Sequence, residues 1–362
     1  MIVQSLDAAN FRNFSSLRAE FVPGVNVFFG DNGSGKTNLL EAIFTLCLGR
    51  SQRGAADNIL IKADADTYRL EGSIATSTGE LTLAVACQRG GRRKITIDSA
   101  AARASELYER FCVVSSGPED SEILSGAPSA RRLFIDIYLS QLSQGYLAAL
   151  TDYQKTLSQK NAALRKEMDP DPFDPLLCAY GSRIILARKI FLDELGPIAC
   201  RRYRDIAEGE ELGIYYRPKV LWKNDSGDID AIEEAFRDAL EVNAERERIL
   251  RTAVVGPHRD DIKFTIGEFP ARSHGSQGQW RTAAVSLKLA VYEMLKKKRR
   301  TEPILLLDEI FAELDKSRAQ HLMELFSGVN QLFLTTATEP PVSIENHVRR
   351  FRIVDGAIEG ID

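Results

Sequence analysis

Three short segments carry side chains that can handle phosphate. The first, Gly30-Asp31-Asn32-Gly33-Ser34-Gly35-Lys36-Thr37, follows an apolar run at residues 25–29 and precedes a helix-forming stretch at 39–46. A strand that ends in glycines lets successive backbone N–H groups wrap an anion, and the helix behind it aims its N-terminus at the same point. In that frame Lys36 reaches the outer phosphate oxygens and Thr37 offers its hydroxyl to Mg²⁺, with Asn38 beside them as the last residue of the binding set. The second segment, Ile304-Leu305-Leu306-Leu307-Asp308-Glu309, ends an apolar strand in two carboxylates. Asp308 is placed to hold Mg²⁺ through its water shell, and Glu309 to polarise an attacking water as general base, so the expected catalytic set is Glu309, Lys36 and Asp308. The third, Gly275-Ser276-Gln277-Gly278-Gln279, opens a helix, where the Ser276 hydroxyl, Gly278 and the free N–H groups of the first turn form a second anion-binding end.

The elements that must position these groups follow from periodicity. Residues 2–8, 17–21 and 25–29 read as strands, and 68–74, 81–86 and 94–97 as an antiparallel meander with Gly-containing turns. From Pro128 the pattern turns helical, at 130–142, 147–168, 176–208 and 229–251, with Pro170, Pro172 and Pro175 as breaks. Strands are expected near Val254 and at 261–266, then a helix at 279–297, the strand ending at Asp308, a helix at 317–326, and strands at 332–335 and 349–354. The expected fold is therefore α/β: a P-loop NTPase core with an antiparallel β subdomain, written in two halves (1–122 and 250–362), with a mainly helical lobe at 123–249 between them. Its prolines forbid a continuous rod, so no long coiled coil is expected.

A chain of 362 residues, 44% of them apolar, can bury a sizeable core. A net charge of −4 excludes binding to polyanions through the overall field and leaves only local patches. Such patches occur at Arg89 to Lys94, at Arg50 and Arg53, and at Lys296 to Arg300, each of which also reads as an ordinary solvated segment. Five scattered cysteines without a Cys-x-x-Cys pair argue for free thiols, and the four histidines suggest no metal site. No stretch reaches the roughly 18 consecutive apolar residues of a membrane helix, and Met1-Ile2-Val3-Gln4 does not resemble a signal peptide. A cytoplasmic protein without a membrane partner is expected.

In their order along the chain the three segments resemble the Walker A, signature and Walker B motifs of an ABC-type ATPase head, with Glu313-Leu314-Asp315 resembling its D-loop. That resemblance implies that Ser276 and Gly278 act in trans, on ATP bound to a second copy. Asn10-Phe11-Arg12-Asn13-Phe14, Gly49-Arg50-Ser51, Pro118-Glu119-Asp120 and Gly256-Pro257-His258-Arg259-Asp260-Asp261 narrow the likeness to the RecF family, over residues 10 to 338. Trp280, where the family usually has Gln, and Ser115-Ser116-Gly117 before Pro118, where Phe is usual, depart from its pattern.

The resemblance implies a weak ATPase that dimerises on DNA when ATP is bound, on single strands, duplex or gap junctions. It implies roles in DNA replication, recombination and the SOS response to DNA damage, alongside RecO and RecR and functionally with RecA. Thr335-Thr336 stand where many ABC proteins carry a histidine, and a hydroxyl does not titrate near neutrality. His258 reads as a hydrogen-bonding member of a turn network rather than a catalytic group, and His321 and His347 as surface residues. A transporter's nucleotide-binding subunit and a long SMC or Rad50 chromosome protein are the rival readings, which the helical insertion and the missing coiled coil disfavour.

Overall fold

The computed structural model describes residues 1–77, 79–207, 209–222, 227–310, 329–337 and 348–361. The chain forms two compact units, Met1–Asp120 with Val291–Asp362, and Ser121–Ala290. In the first unit, β1 (Ile2–Val3), β2 (Ser5–Phe11) and β3 (Phe14–Glu20) lead to β4 (Gly24–Phe29), then α1 (Lys36–Leu48) and the short α2 (Asp57–Leu60). The meander follows as β5 (Thr67–Thr76), β6 (Gly79–Gln88), β7 (Lys94–Ile97) and β8 (Ala100–Ala102), and then come α3 (Ala104–Arg110) and β9 (Val113–Ser116). Strands β1 to β3 join the meander in one antiparallel sheet, because β5 pairs with β2 as well as with β6.

The second unit opens with α4 (Glu122–Ser125), α5 (Pro128–Leu142), α6 (Gln144–Arg165) and α7 (Asp174–Ala207). Pro128 sits at the start of α5, where its missing N–H costs nothing, and the Ser143 hydroxyl caps α6 by accepting from the Tyr146 N–H. Next come β10 (Leu212–Arg217), α8 (Ile229–Leu250), β11 (Asp261–Ile266), β12 (Phe269–Pro270), α9 (Ala271–His274) and α10 (Gln277–Arg299). The boundary near residue 250 is corrected to 290/291: β11 pairs along its whole length with β10, so the returning segment packs with the helical unit. No strand forms at Val254, where the chain turns instead. The longest helix among the described residues is the 34-residue α7, and there is no long coiled coil.

Back in the first unit, β13 (Ile304–Asp308), β14 (Gln331–Thr336), β15 (Val348–Val354) and β16 (Ala357–Ile361) complete a second sheet in the order β16-β15-β4-β14-β13-β9. All its pairings are parallel except β15 with β16. Every residue of β13 is buried, as a central parallel strand requires. Strand β9, whose four residues Val113 to Ser116 are all buried beside β13, escapes the periodicity reading because its Val-Val-Ser-Ser sequence shows no alternation. The D-loop-like Glu313 to Asp315, the expected helix at 317–326, His321 and His347 lie outside the described residues. No helix among the described residues is long and apolar enough to cross a membrane.

Helix α1 is buried almost all round, because it touches strands of both sheets, and apolar residues fill every face. In the second unit α7 approaches α8 closely at Gly181, where a Cβ would collide with the Phe236 ring. Gly181→Val is expected to cost about 1–3 kcal/mol by overpacking, read as a lowered melting temperature. An unchanged melting curve would show that the two helices do not meet there.

Candidate functional site

The parallel sheet delivers its chemistry at one edge. Strand β4 ends at Phe29 and β14 at Thr336, and β14, lying between β4 and β13, pairs Thr335 with Phe28 on one side and with Asp308 on the other. The loop after β4 needs glycine: Gly30, Gly33 and Gly35 all have positive φ (151°, 84° and 115°), and a Cβ on Gly30 would strike the Ile353 carbonyl. The loop is pinned through its Ser34 carbonyl, which accepts from the Gly356 N–H at 2.9 Å and from Asn13 Nδ2 at 3.3 Å. Asn13 in turn accepts from Asn38 Nδ2 at 2.8 Å.

Lys36 is 3% exposed, and its Nζ donates to the carbonyls of Gly30 (2.8 Å) and Asp31 (3.0 Å) and stands 3.5 Å from Glu309 Oε1. Thr37 Oγ1 donates to the Asp308 carboxylate at 2.8 Å, and Thr335 Oγ1 donates to it at 2.6 Å. The Glu309 N–H then donates to Thr335 Oγ1 at 3.0 Å, so the hydroxyl relays between the two acidic residues. Burial pushes the Asp308 carboxyl above the usual range, against the pull of the two hydroxyls. Glu309 has φ 46°, a left-handed backbone that a non-glycine residue adopts only where its surroundings hold it there.

Tests of fit favour an anion. Among the described residues the Ser34 hydroxyl is buried without a hydrogen-bond partner and a Cβ on Gly33 would meet open space, and α1 has neither a side-chain cap nor an acidic residue in its first turn. Thr37 and Asp308 supply two hard oxygen donors, and no group of three or more His, Cys, Asp or Glu side chains among the described residues forms a metal cage. Such a pair suits an ion held mostly by phosphate and water.

Of the expected residues, the structure brings together those from Gly30 to Asn38 with Asp308 and Glu309. Ser276 and Gly278 belong to the other unit, at the exposed start of α10. There the Gln279 N–H donates to Ser276 Oγ at 3.2 Å while the Ser276 N–H donates to Gln279 Oε1 at 2.9 Å, a reciprocal cap. Trp280 belongs to the same turn, its indole N–H bonded to the Ala271 carbonyl at 2.7 Å.

Sequence reasoning missed a brace behind the site. Arg12 holds Glu41 of α1 bidentately (2.8 and 3.1 Å), and Ser51 donates to the same carboxylate at 2.5 Å. The next residues continue outward: Ser115 donates to Gln52 at 2.6 Å, and Arg53 pairs with Glu119 at 2.7 Å. Gly117 lies against Asp308, with a Cβ there reaching 3.1 Å from the Asp308 Cβ, and its N–H donates to Asp120 at 2.9 Å. The segments containing these residues were visible in the sequence; their mutual contacts were not. Several of the basic residues singled out as polyanion contacts are tied to their own chain, Arg93 to Asp57, Lys296 to Glu302 and Arg299 to the carbonyls of Tyr108 and Glu109.

The Gly256 to Asp261 turn is a buried network within the second unit. Asp260 accepts from Tyr216 (2.5 Å) and from the Lys219 N–H (2.8 Å), and Asp261 pairs with Arg131 at 2.6 Å. Arg188 donates to the Pro257 carbonyl and to Asp136. His258 Nε2 faces the Ala253 carbonyl at 3.2 Å and so carries the proton, leaving Nδ1 to accept from Tyr153 at 2.7 Å. Burial pushes the His258 imidazole down to about 4.

The chain matches the family model for the RecF/RecN/SMC N-terminal domain over residues 2–358. It is 35% identical to the DNA replication and repair protein RecF of Lachnoclostridium phytofermentans, covering 99% of both chains. It is 38% identical to the RecF of Moorella thermoacetica, over 92% of this chain and 89% of that one. A solved structure described as the recombination mediator protein RecF with ATP in the RecFOR pathway superimposes with a TM-score of 0.90, at 32% identity over 99% of this chain and 96% of the other. An SMC head bound to the winged-helix domain of ScpA, 16% identical with a TM-score of 0.56 over 100% and 97% of the two chains, shares the fold alone.

Two outcomes follow from the buried charges. Asp308→Asn removes a carboxylate that burial disfavours, and is expected to raise stability by about 1 kcal/mol in nucleotide-free calorimetry; a lowered melting temperature would contradict this. For His258, the unfolded chain takes up a proton near pH 6.5 that the folded chain refuses until about 4. Its contribution to stability is therefore lost as pH falls across that window, and His258→Gln should flatten the dependence of melting temperature on pH between those values.

Proposed function

The chain belongs to the RecF branch of the RecF/RecN/SMC family, and from that premise we propose that it is a weak ATPase whose nucleotide closes a homodimer on DNA during replication and recombinational repair. The observation that carries this reading is the meeting of Thr37, Asp308 and Thr335 around one buried carboxylate, with Lys36 and Glu309 3.5 Å apart beside it. Lys36, fixed at the base of the loop, neutralises charge on the outer phosphates of ATP. Thr37 and Asp308 would hold Mg²⁺, which supplies charge neutralisation between phosphate oxygens when bound. Glu309, aimed by its left-handed backbone and the Thr335 contact, accepts the proton of the attacking water.

Ser276 and Gly278, exposed at the capped start of α10, act in trans on the nucleotide of a second copy. The exposure of Ser276 and Gly278 and the absence of acidic residues from the first turn of α10 support an anion-binding role. The names of the relatives support DNA as the partner and a pathway shared with RecO and RecR; on this reading the three together place RecA at single-strand gaps. DNA contacts through phosphates make its binding salt-sensitive. A cytoplasmic location follows from this function.

Sedimentation velocity of Lys36→Met and Glu309→Gln in ATP with Mg²⁺ and in ADP tests the reading. Lys36→Met is expected to bind no ATP and remain monomeric. Glu309→Gln is expected to lose turnover by about 10²-fold or more and to accumulate a dimer in ATP alone. A Glu309→Gln protein that binds ATP and stays monomeric would overturn the closure mechanism.

A further inference from the structure

The second unit carries a groove lined by none of the residues assigned to the nucleotide. It lies between the C-terminal half of α8 and the segment leading to the Gly256 turn, encloses about 510 Å³, and is walled by Leu250, Val254 and Val255 with Lys219, Arg246 and Arg259 among its lining residues. Among the described residues, none of these three cations makes an ion pair and no carboxylate lines the groove. Arg259 is held at the rim, since its Nε and Nη2 both donate to the Ala253 carbonyl (3.2 and 2.8 Å).

The floor is rigid. The Val254 N–H donates to the buried Glu247 at 2.7 Å, Glu247 pairs with the buried Lys160 at 2.7 Å, and the Ala253 N–H donates to Asn161 at 2.7 Å. The Lys219 N–H is fixed on Asp260. A pre-organised groove loses little entropy when it is filled.

The apolar stripe of α8 runs out into this groove. Ile232, Phe236 and Leu240 are buried at 0–2% exposure, but Leu250, which continues their helical spacing, is 52% exposed. Beside it Ile249 is 71% and Val242 83% exposed, one on each side of Arg246 along the same outer face of the helix. Uncovered apolar side chains beside cations that make no ion pair among the described residues mark a surface shaped for a partner. Nucleic-acid phosphates would satisfy the cations and leave the apolar residues in water, whereas a peptide with an apolar side chain between carboxylates satisfies both. We propose that this groove docks an acidic, apolar-centred segment of a partner protein.

The test places p-benzoylphenylalanine at Val242 of the full chain in the cells that make it, with photo-crosslinking and sequencing of the captured peptide. One defined segment is expected, with two or more carboxylates flanking an aliphatic or aromatic residue. Its synthetic copy should bind the purified protein in fluorescence anisotropy and weaken at least about tenfold with Lys219→Glu/Arg246→Glu, and also with rising salt. Arg246→Ala, a change on an exposed helix face, carries the same direction of effect should the double reversal fail to fold. Crosslinking to nucleic acid, to a second copy of this chain, to a segment lacking carboxylates or to nothing would overturn the proposal, as would binding indifferent to charge reversal.

Discussion

A carboxylate at the end of a strand whose residues are all buried cannot be left to itself. Asp308 is only 5% exposed, and desolvation works against its charge; hydroxyls donated from two other elements offset that cost. One comes from the first turn of α1, the other from β14, the strand that separates β4 from β13. A single carboxylate thereby fixes the mutual placement of the phosphate loop, the central strand and the acidic pair. Glu309 inherits its position from the same arrangement, its N–H held by Thr335 while its backbone sits in a strained conformation. The strain is consistent with a residue aimed rather than merely packed.

The bracing of that edge reaches well away from it. Helix α1 is apolar on every face because it lies against strands of both sheets, and its one buried acid, Glu41, is neutralised by Arg12 from the turn between β2 and β3. Ser51 joins the same carboxylate just past the helix, and its neighbours Gln52 and Arg53 bond to Ser115 and Glu119 on either side of Gly117. Gly117 presses on Asp308. A chain of direct contacts thus runs from the helix that begins at the phosphate loop, around its far end, and back to the carboxylate that would hold the metal. Close packing of this kind transmits displacement because few voids can absorb it.

The helical unit is organised by a different principle. Its buried polar groups, Arg131, Arg188, Asp260 and His258, are satisfied by one another, by Asp136 and Asp261, by tyrosines and by backbone carbonyls. A fully satisfied network specifies one arrangement of the helices around it, since any other leaves a buried charge or donor unpaired. The same turn presents Arg259 at the rim of the α8 groove, so the order of the interior is passed to that surface.

The chemistry-bearing segments were legible from residues alone, because their meaning depends on local spacing. Glycines before Lys36-Thr37 and an apolar run before Asp308-Glu309 impose a loop and a buried strand whatever surrounds them. The long helices were legible for the same reason, their 3.6-residue periodicity being written over many turns. Strand β9 and the end of the helical unit were not: the first is four buried residues without alternation, and the second depends on β11 pairing with β10, nearly fifty positions apart on average in the chain. Likewise the sequence named Glu41 and Glu119 only as members of segments, and Thr335 only for standing where related ATPases carry a histidine. That Thr335 bonds Asp308, that Arg12 neutralises Glu41, and that Arg53 meets Glu119 were decided by tertiary structure, because contacts between distant segments are set by sheet order and burial, which local patterns do not encode.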